Sequence, residues 1–177
     1  MIQTTYKTAN DRVILSITIG FKDTQRRILE ESSHVGKIMR DKDGQSLLED
    51  FVLDEAYETT FRSYFYSAQA ELTEYLSAYT KDMPTTSEYI DTSASDTLVE
   101  DWNITLPMPS NFNESLSRAI GIKIEDFVTN YIMWLWLSTK DSSRTEIYLA
   151  TATKLKEDIT NLLNRRSVNL TRPNRYW

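Results

Sequence analysis

Cysteine is absent from the 177 residues. Disulfides, thiolate metal sites and a cysteine nucleophile are therefore excluded, as suits a chain made and used in cytoplasm. Histidine occurs once, at His34, so a zinc site or a Ser-His-Asp arrangement lacks parts. The four glycines, Gly20, Gly36, Gly44 and Gly121, are isolated from one another; no glycine-rich phosphate loop can be drawn, and nucleotide hydrolysis is not expected. Long apolar runs are missing too. Val13 to Phe21 and Phe127 to Leu137 both fall short of the roughly 20 residues that a membrane span needs. Asp11 stands directly before the first run and no small-residue cleavage site follows, so a secretory leader is not expected. The sequons at Asn103, Asn113 and Asn169 then read as chance.

What is present describes a folding chain. Apolar residues make up 40% and charged residues 26%, with ten tyrosines, six phenylalanines and four tryptophans, too aromatic a composition for disorder. The length suits one domain with one core. The net charge of −6 hides an asymmetry: from Asp41 to Asp101 there are 15 acidic residues against 3 basic, whereas beyond Asp158 Arg165, Arg166, Arg172 and Arg175 appear with no acid. Such polarity suits a protein that meets copies of itself, or a charged partner, through opposite ends.

Val13, Leu15, Ile17, Ile19 and Phe21 alternate with Ser16, Thr18 and Gly20, which predicts a strand. A short helix is expected from Asp23 to about Met39, closed by the turn Asp41-Lys42-Asp43-Gly44. A long helix is expected from Ser46 to Tyr79, where Leu47, Phe51, Phe61, Phe65, Ala68, Leu72 and Leu76 return at helical steps; at 1.5 Å per residue it would run about 50 Å. Pro84 closes it. Residues 84–110, rich in Ser, Thr and Asp, read as an inserted β-hairpin or extended arm that Pro107 and Pro109 end. Asn111-Phe112-Asn113-Glu114 then opens a helix carrying Leu116, Ile120, Ile124, Phe127, Tyr131 and Trp134. The capping box Ser143-Arg144-Thr145-Glu146 opens another, with Tyr148, Ala152, Leu155, Ile159 and Leu162 on one face. So short a connection predicts antiparallel packing. The expected whole is a mainly α, elongated helical bundle, a single domain over residues 1–166, followed by an extended C-terminal arm over residues 167–177.

No constellation supplies catalysis. The turn at Asp41 resembles the middle of a calcium loop, with Asp41, Asp43, Gly44 and Asp50 at positions three, five, six and twelve, but Met39 falls where a carboxylate is required. Glu30-Glu31 and Asp54-Glu55 are carboxylate pairs in ordinary polar settings. No catalytic residue, metal ligand or cofactor is expected. The aromatics are more informative: Tyr64, Phe65, Tyr66, Tyr131, Trp134 and Trp136 exceed what one stripe of each helix buries. Phe65, Tyr131 and Trp134 suit the core, and Tyr66 and Trp136 suit subunit contacts, where aromatic anchors are enriched. Trp102, Arg165, Arg166 and the tail residues Arg172, Arg175, Tyr176 and Trp177 complete the candidate interface. The tail suits docking in a protein groove, since the acidic bulk of the chain would repel a phosphate backbone.

Trp102-Asn103-Ile104-Thr105-Leu106-Pro107-Met108-Pro109-Ser110-Asn111-Phe112, leading into a helix with Phe127-Val128-Thr129-Asn130-Tyr131-Ile132 and Trp134-Leu135-Trp136-Leu137, and then the arginine-containing tail, resembles the neck, or head-tail connector, ring proteins of tailed bacteriophages, the crAss-like phages of Bacteroidota in particular. The first 45 residues have no counterpart in that pattern. The resemblance implies a non-enzymatic virion protein of the neck, present in host cytoplasm during assembly. It would form a homo-oligomeric ring, a dodecamer, that joins the portal to other neck or tail proteins. Genomic DNA would pass through it without sequence-specific binding, and no membrane is involved. The competing expectation is a cytoplasmic helical module that regulates by binding protein or nucleic acid.

Overall fold

The computed structural model describes residues 3–9, 12–39, 43–80, 101–140 and 142–166. The fold is mainly α-helical with an antiparallel β element. Three strands, β1 (Gln3–Ala9), β2 (Arg12–Ile19) and β3 (Trp102–Pro109), form one sheet in the order β1-β2-β3, with both pairings antiparallel. The helices are α1 (Phe21–Ile38), the single turn α2 (Leu48–Phe51), α3 (Glu58–Thr80), α4 (Ser117–Ser138) and α5 (Ser142–Leu163). Their buried side chains make one continuous core with the inner face of the sheet.

Alternation along β2 and β3 explains that inner face. Val13 lies opposite Met108, Leu15 opposite Leu106, Ile17 opposite Ile104 and Ile19 opposite Trp102, and all eight are buried. Directly opposed residues of an antiparallel pair share a face, so four apolar rungs point at the helices. The outer face carries Ser16, Thr18, Asn103 and Thr105 beside Ile14 and the two prolines, and Thr18 Oγ1 donates to Asn103 Oδ1 there at 2.7 Å. Residues 102–109 are thus no part of an arm. They close a sheet with a strand more than 80 residues earlier, and the rest of the expected arm, residues 81–100, lies outside the described residues. Pro107 lies within β3, and the strand ends at Pro109. Among the described residues β3 is an edge, and Pro107 and Pro109, two residues apart, both turn their missing N–H to its open side.

β2 ends at Ile19, and Phe21, expected at the end of the strand, is instead the first residue of α1. Gly20 offers no side-chain cap; Asp101, just before β3, takes that place, its Oδ1 accepting from the Phe21 backbone N–H at 3.0 Å. The Phe21 ring packs edge-on against Phe61 and Phe65 of α3, with centroids 4.9 and 5.1 Å apart.

The long helix expected from Ser46 to Tyr79 is two helices. α2 stops at Phe51, and after the extended Val52 a separate 3-10 turn, Glu55–Tyr57, leads into α3. Asp54 starts that turn by accepting from the Ala56 N–H at 3.0 Å. The break lets residues 46–53 lie across α1 and α4. The Leu53 N–H donates to the buried Ser32 Oγ at 3.1 Å, and Ser46 Oγ donates to the Gly36 carbonyl at 3.2 Å. Gly36 is needed for this approach, because a β-carbon there would sit 2.9 Å from Leu48 Cα. Gly44, with φ of 79°, makes the turn before α2, as the turn sequence leads one to expect.

α4 is entered through a 3-10 turn, Glu114–Leu116, capped by Asn113 Oδ1, which accepts from the Ser115 N–H at 3.2 Å. α5 runs from Ser142, one residue ahead of the expected capping Ser143, and lies along α4 in the most extensive helix contact of the fold. Polar links cross the bundle. Arg27 pairs with Glu125 and Asp126, Lys123 with Asp158, and Lys156 with Glu71. The Tyr75 and Thr160 hydroxyls lie 2.8 Å apart. The ion pairs are partly exposed, so each contributes on the order of 0.2–1 kcal/mol and the apolar core dominates.

Two outcomes are expected. Gly36→Ala forces backbone apart and should destabilise the chain by about 1–3 kcal/mol in urea titration. Tyr148, on α5, donates to Glu31 Oε1 of α1 at 3.0 Å; burial first, then the Glu31 charge, push its hydroxyl pKa well above the ordinary tyrosine value of 10.0. Its contribution is therefore intact below that value and is lost as pH rises beyond it. Stability should fall from about pH 10 upward, and Tyr148→Phe should flatten that part of the profile.

Candidate interaction surfaces

Of the nine residues that the sequence singles out as an interface, the structure places five. Tyr66 on α3 is half exposed, at 50%. Trp102 is not at the surface: it opens the inner face of β3 opposite Ile19 and is 7% exposed. Trp136 is also core, at 3%. Its ring meets Tyr57 edge-on at 5.0 Å, the Lys140 ammonium lies 4.9 Å from it, and its Nε1 donates to the Phe51 carbonyl at 2.8 Å. Trp136 was expected outside because one stripe per helix cannot bury so many rings, and Trp102 because its segment was expected to be an arm. The sheet takes up Trp102, and α4 buries more than one stripe. Phe65 is buried, while Tyr64, Tyr131 and Trp134 are half-buried. Arg165 is exposed; Arg166 is half-buried, donates from Nη1 to the Leu163 carbonyl at 2.7 Å and bridges to Phe112 through its backbone. Arg172, Arg175, Tyr176 and Trp177 lie outside the described residues, as does the expected arm of residues 167–177.

Exposed apolar side chains include Leu29 and Ile38, which the sequence places among the apolar positions of α1, and Ile122, Ile147 and Leu149, which the sequence reading passed over. Ile147, at 66% the most exposed of them, stands off the stripe of Tyr148, Ala152, Leu155 and Ile159, so helical spacing alone could have marked it. No charge falls between Glu146 and Lys154. The Thr151 and Thr153 hydroxyls turn back to the carbonyls of Ile147 and Leu149 at 2.7 and 2.9 Å, which spends their donors inside the helix. Residues 147–153 of α5 therefore present an uncharged, weakly polar outer face.

Charge is distributed along α4. Near its C-terminal end, where Trp136 holds Phe51, lie the exposed acids Glu49, Asp50, Asp54 and Glu58; only Glu58 has an ion-pair partner among the described residues, Arg62. Near its N-terminal end lie Arg118 and Lys123 and, from the end of α5, Arg165 and Arg166. Lys123 donates to Asp158 Oδ2 at 2.8 Å and holds that carboxyl below its ordinary range. A cleft of about 230 Å³ opens here, lined by Lys123, Asp158, Asn161, Leu162 and Arg165. Among the described residues no group of three or more His, Asp or Glu converges to hold a metal ion, and no helix is long and apolar enough to cross a membrane. His34 is exposed on α1.

Comparison with protein-family models, with curated proteins and with solved structures finds no match to this chain. Its surfaces therefore carry the functional argument by themselves.

Core and surface aromatics should separate cleanly in unfolding experiments. Trp136→Phe leaves the buried Phe51 carbonyl without its donor and should cost about 1–3 kcal/mol. Tyr66→Ser should change stability by no more than about 0.5 kcal/mol.

Proposed function

We propose that this chain is a structural assembly subunit: a virion protein that forms an oligomeric neck, or connector, ring between the portal and the tail of a tailed bacteriophage and lines the channel for DNA. The observation that carries this reading is the placement of acids (Glu49, Asp50, Asp54) and arginines (Arg118, Arg165) that have no ion-pair partner among the described residues at opposite ends of one largely buried helix. Opposite charge on opposite ends favours contacts between two different patches, and such head-to-tail contacts close into a ring when the rotation between copies allows it. The arrangement of residues 102–177 supports the same class through its resemblance to neck ring proteins. An acidic excess between Asp41 and Asp101 suits a passage through which DNA must slide without sticking. On this reading the subunit acts by assembly and performs no catalysis. It binds its own copies, the portal and the next neck or tail protein.

Native mass measured alone and with the cognate portal protein tests the proposal. A stoichiometric complex, a dodecamer of this chain on the portal that loosens as salt is raised, is the expected result. A chain that ignores the portal at every ionic strength, yet binds DNA through residues 167–177, would replace this reading with a regulatory nucleic-acid-binding module.

A further inference from the structure

Resting on that reading, we infer that the cleft lined by Lys123, Asp158, Asn161, Leu162 and Arg165 is the receiving half of the contact between copies, and that its occupant is the acidic turn α2 of a second copy, with Glu49 and Asp50. Within the cleft the Lys123 ammonium is already neutralised by Asp158, while the Arg165 guanidinium has no ion-pair partner among the described residues. The cleft thus carries one uncompensated positive charge, beside the Asn161 amide as a further donor and the Leu162 side chain as an apolar wall. That chemistry fits a carboxylate on a short stem, and the cleft volume of about 230 Å³ has room for one.

Glu49 and Asp50 supply the matching group. Both are exposed and have no ion-pair partner among the described residues. α2 cannot fill the cleft of its own chain. Trp136 holds Phe51 at one end of α4 and the cleft is built on Lys123; the 13 positions between them span about 20 Å of helix. The acids therefore meet a cleft only on another copy, and that copy's own α2 is left free for a third. The anchoring of α2 by Trp136, Ser32 and Gly36 presents the turn as a preformed element, which lowers the ordering cost of docking.

A charge swap between two variants tests this. Self-association of the full chain is measured by sedimentation equilibrium at low ionic strength for the wild type, Arg165→Glu, the double variant Glu49→Arg/Asp50→Arg, and the control Lys22→Glu, whose exposed side chain on α1 lies outside the cleft. Circular dichroism melts check that each is folded. The wild type and the control should associate alike, each swap variant alone should lose at least about tenfold in affinity, and an equimolar mixture of the two should recover wild-type association. Recovery follows because the reversed cleft of one variant meets the reversed turn of the other. A wild type that stays monomeric, a swap variant that associates normally, or a mixture that fails to recover would overturn the inference. Portal binding by the wild type, scored in parallel, separates the two levels: if it persists while the swap fails, the ring reading stands and only this contact falls.

Discussion

Burial of α4 on nearly all its sides is the constraint on which the other elements depend. Ile120, Gly121, Ile124, Phe127, Val128, Ile132, Met133, Trp136 and Leu137 are all buried, far more than the single stripe of a surface helix. A helix that is apolar around most of its girth must be surrounded, and α1, α3, α5 and the sheet supply the cover. No one of these neighbours could bury it alone. The sheet reaches it through β1 and β2, and β3, which returns to β2 after three helices have formed between them, packs chiefly on α3. The capping of α1 by Asp101 follows from that closure, and so does the cluster of Phe21, Phe61 and Phe65.

Much of this was legible from local pattern. The alternation from Val13 to Ile19, the helix closing near Met39 and the antiparallel pair α4 and α5 follow from period and short connections. The first strand was missed. Its sequence, QTTYKTA, is polar, and only the turn-forming dipeptide Asn10-Asp11 before the apolar run signalled a hairpin. The break between α2 and α3 was visible as a nine-residue gap in the helical stripe between Phe51 and Phe61, with Asp54 within it as a natural starter of the next turn. The pairing of β3 with β2 was beyond local reasoning, because register across some 80 residues leaves no mark in the period of either strand. The edge position that tolerates Pro107 and Pro109 was hidden with it.

For the interaction surfaces the sequence showed that charge was polarised but not where the poles lie. Counting acids and arginines along the chain set apart residues 41–101 and the C-terminal segment; only the fold places Glu49 and Asp50 at one end of α4 and Arg165 at the other. Trp136 shows why aromatic excess misleads. A surplus of rings reads as a surface when burial is counted one stripe at a time, yet a central helix absorbs it, and the sheet face takes up Trp102 from what was expected to be an arm. Tyr66 stayed outside because its position on α3 falls off the Phe61, Phe65, Ala68 and Leu72 stripe, which is a matter of helical spacing alone.

Both charged ends are held in fixed relation only if α4 behaves as a rigid, largely buried axis, and native-state hydrogen exchange reads this directly. Amides of the middle of α4, from Ile124 to Met133, are expected to exchange only through global unfolding, with the same denaturant dependence as the whole chain. Exchange of those amides through a smaller opening, at a free energy well below that of global unfolding, would contradict a structure organised around α4.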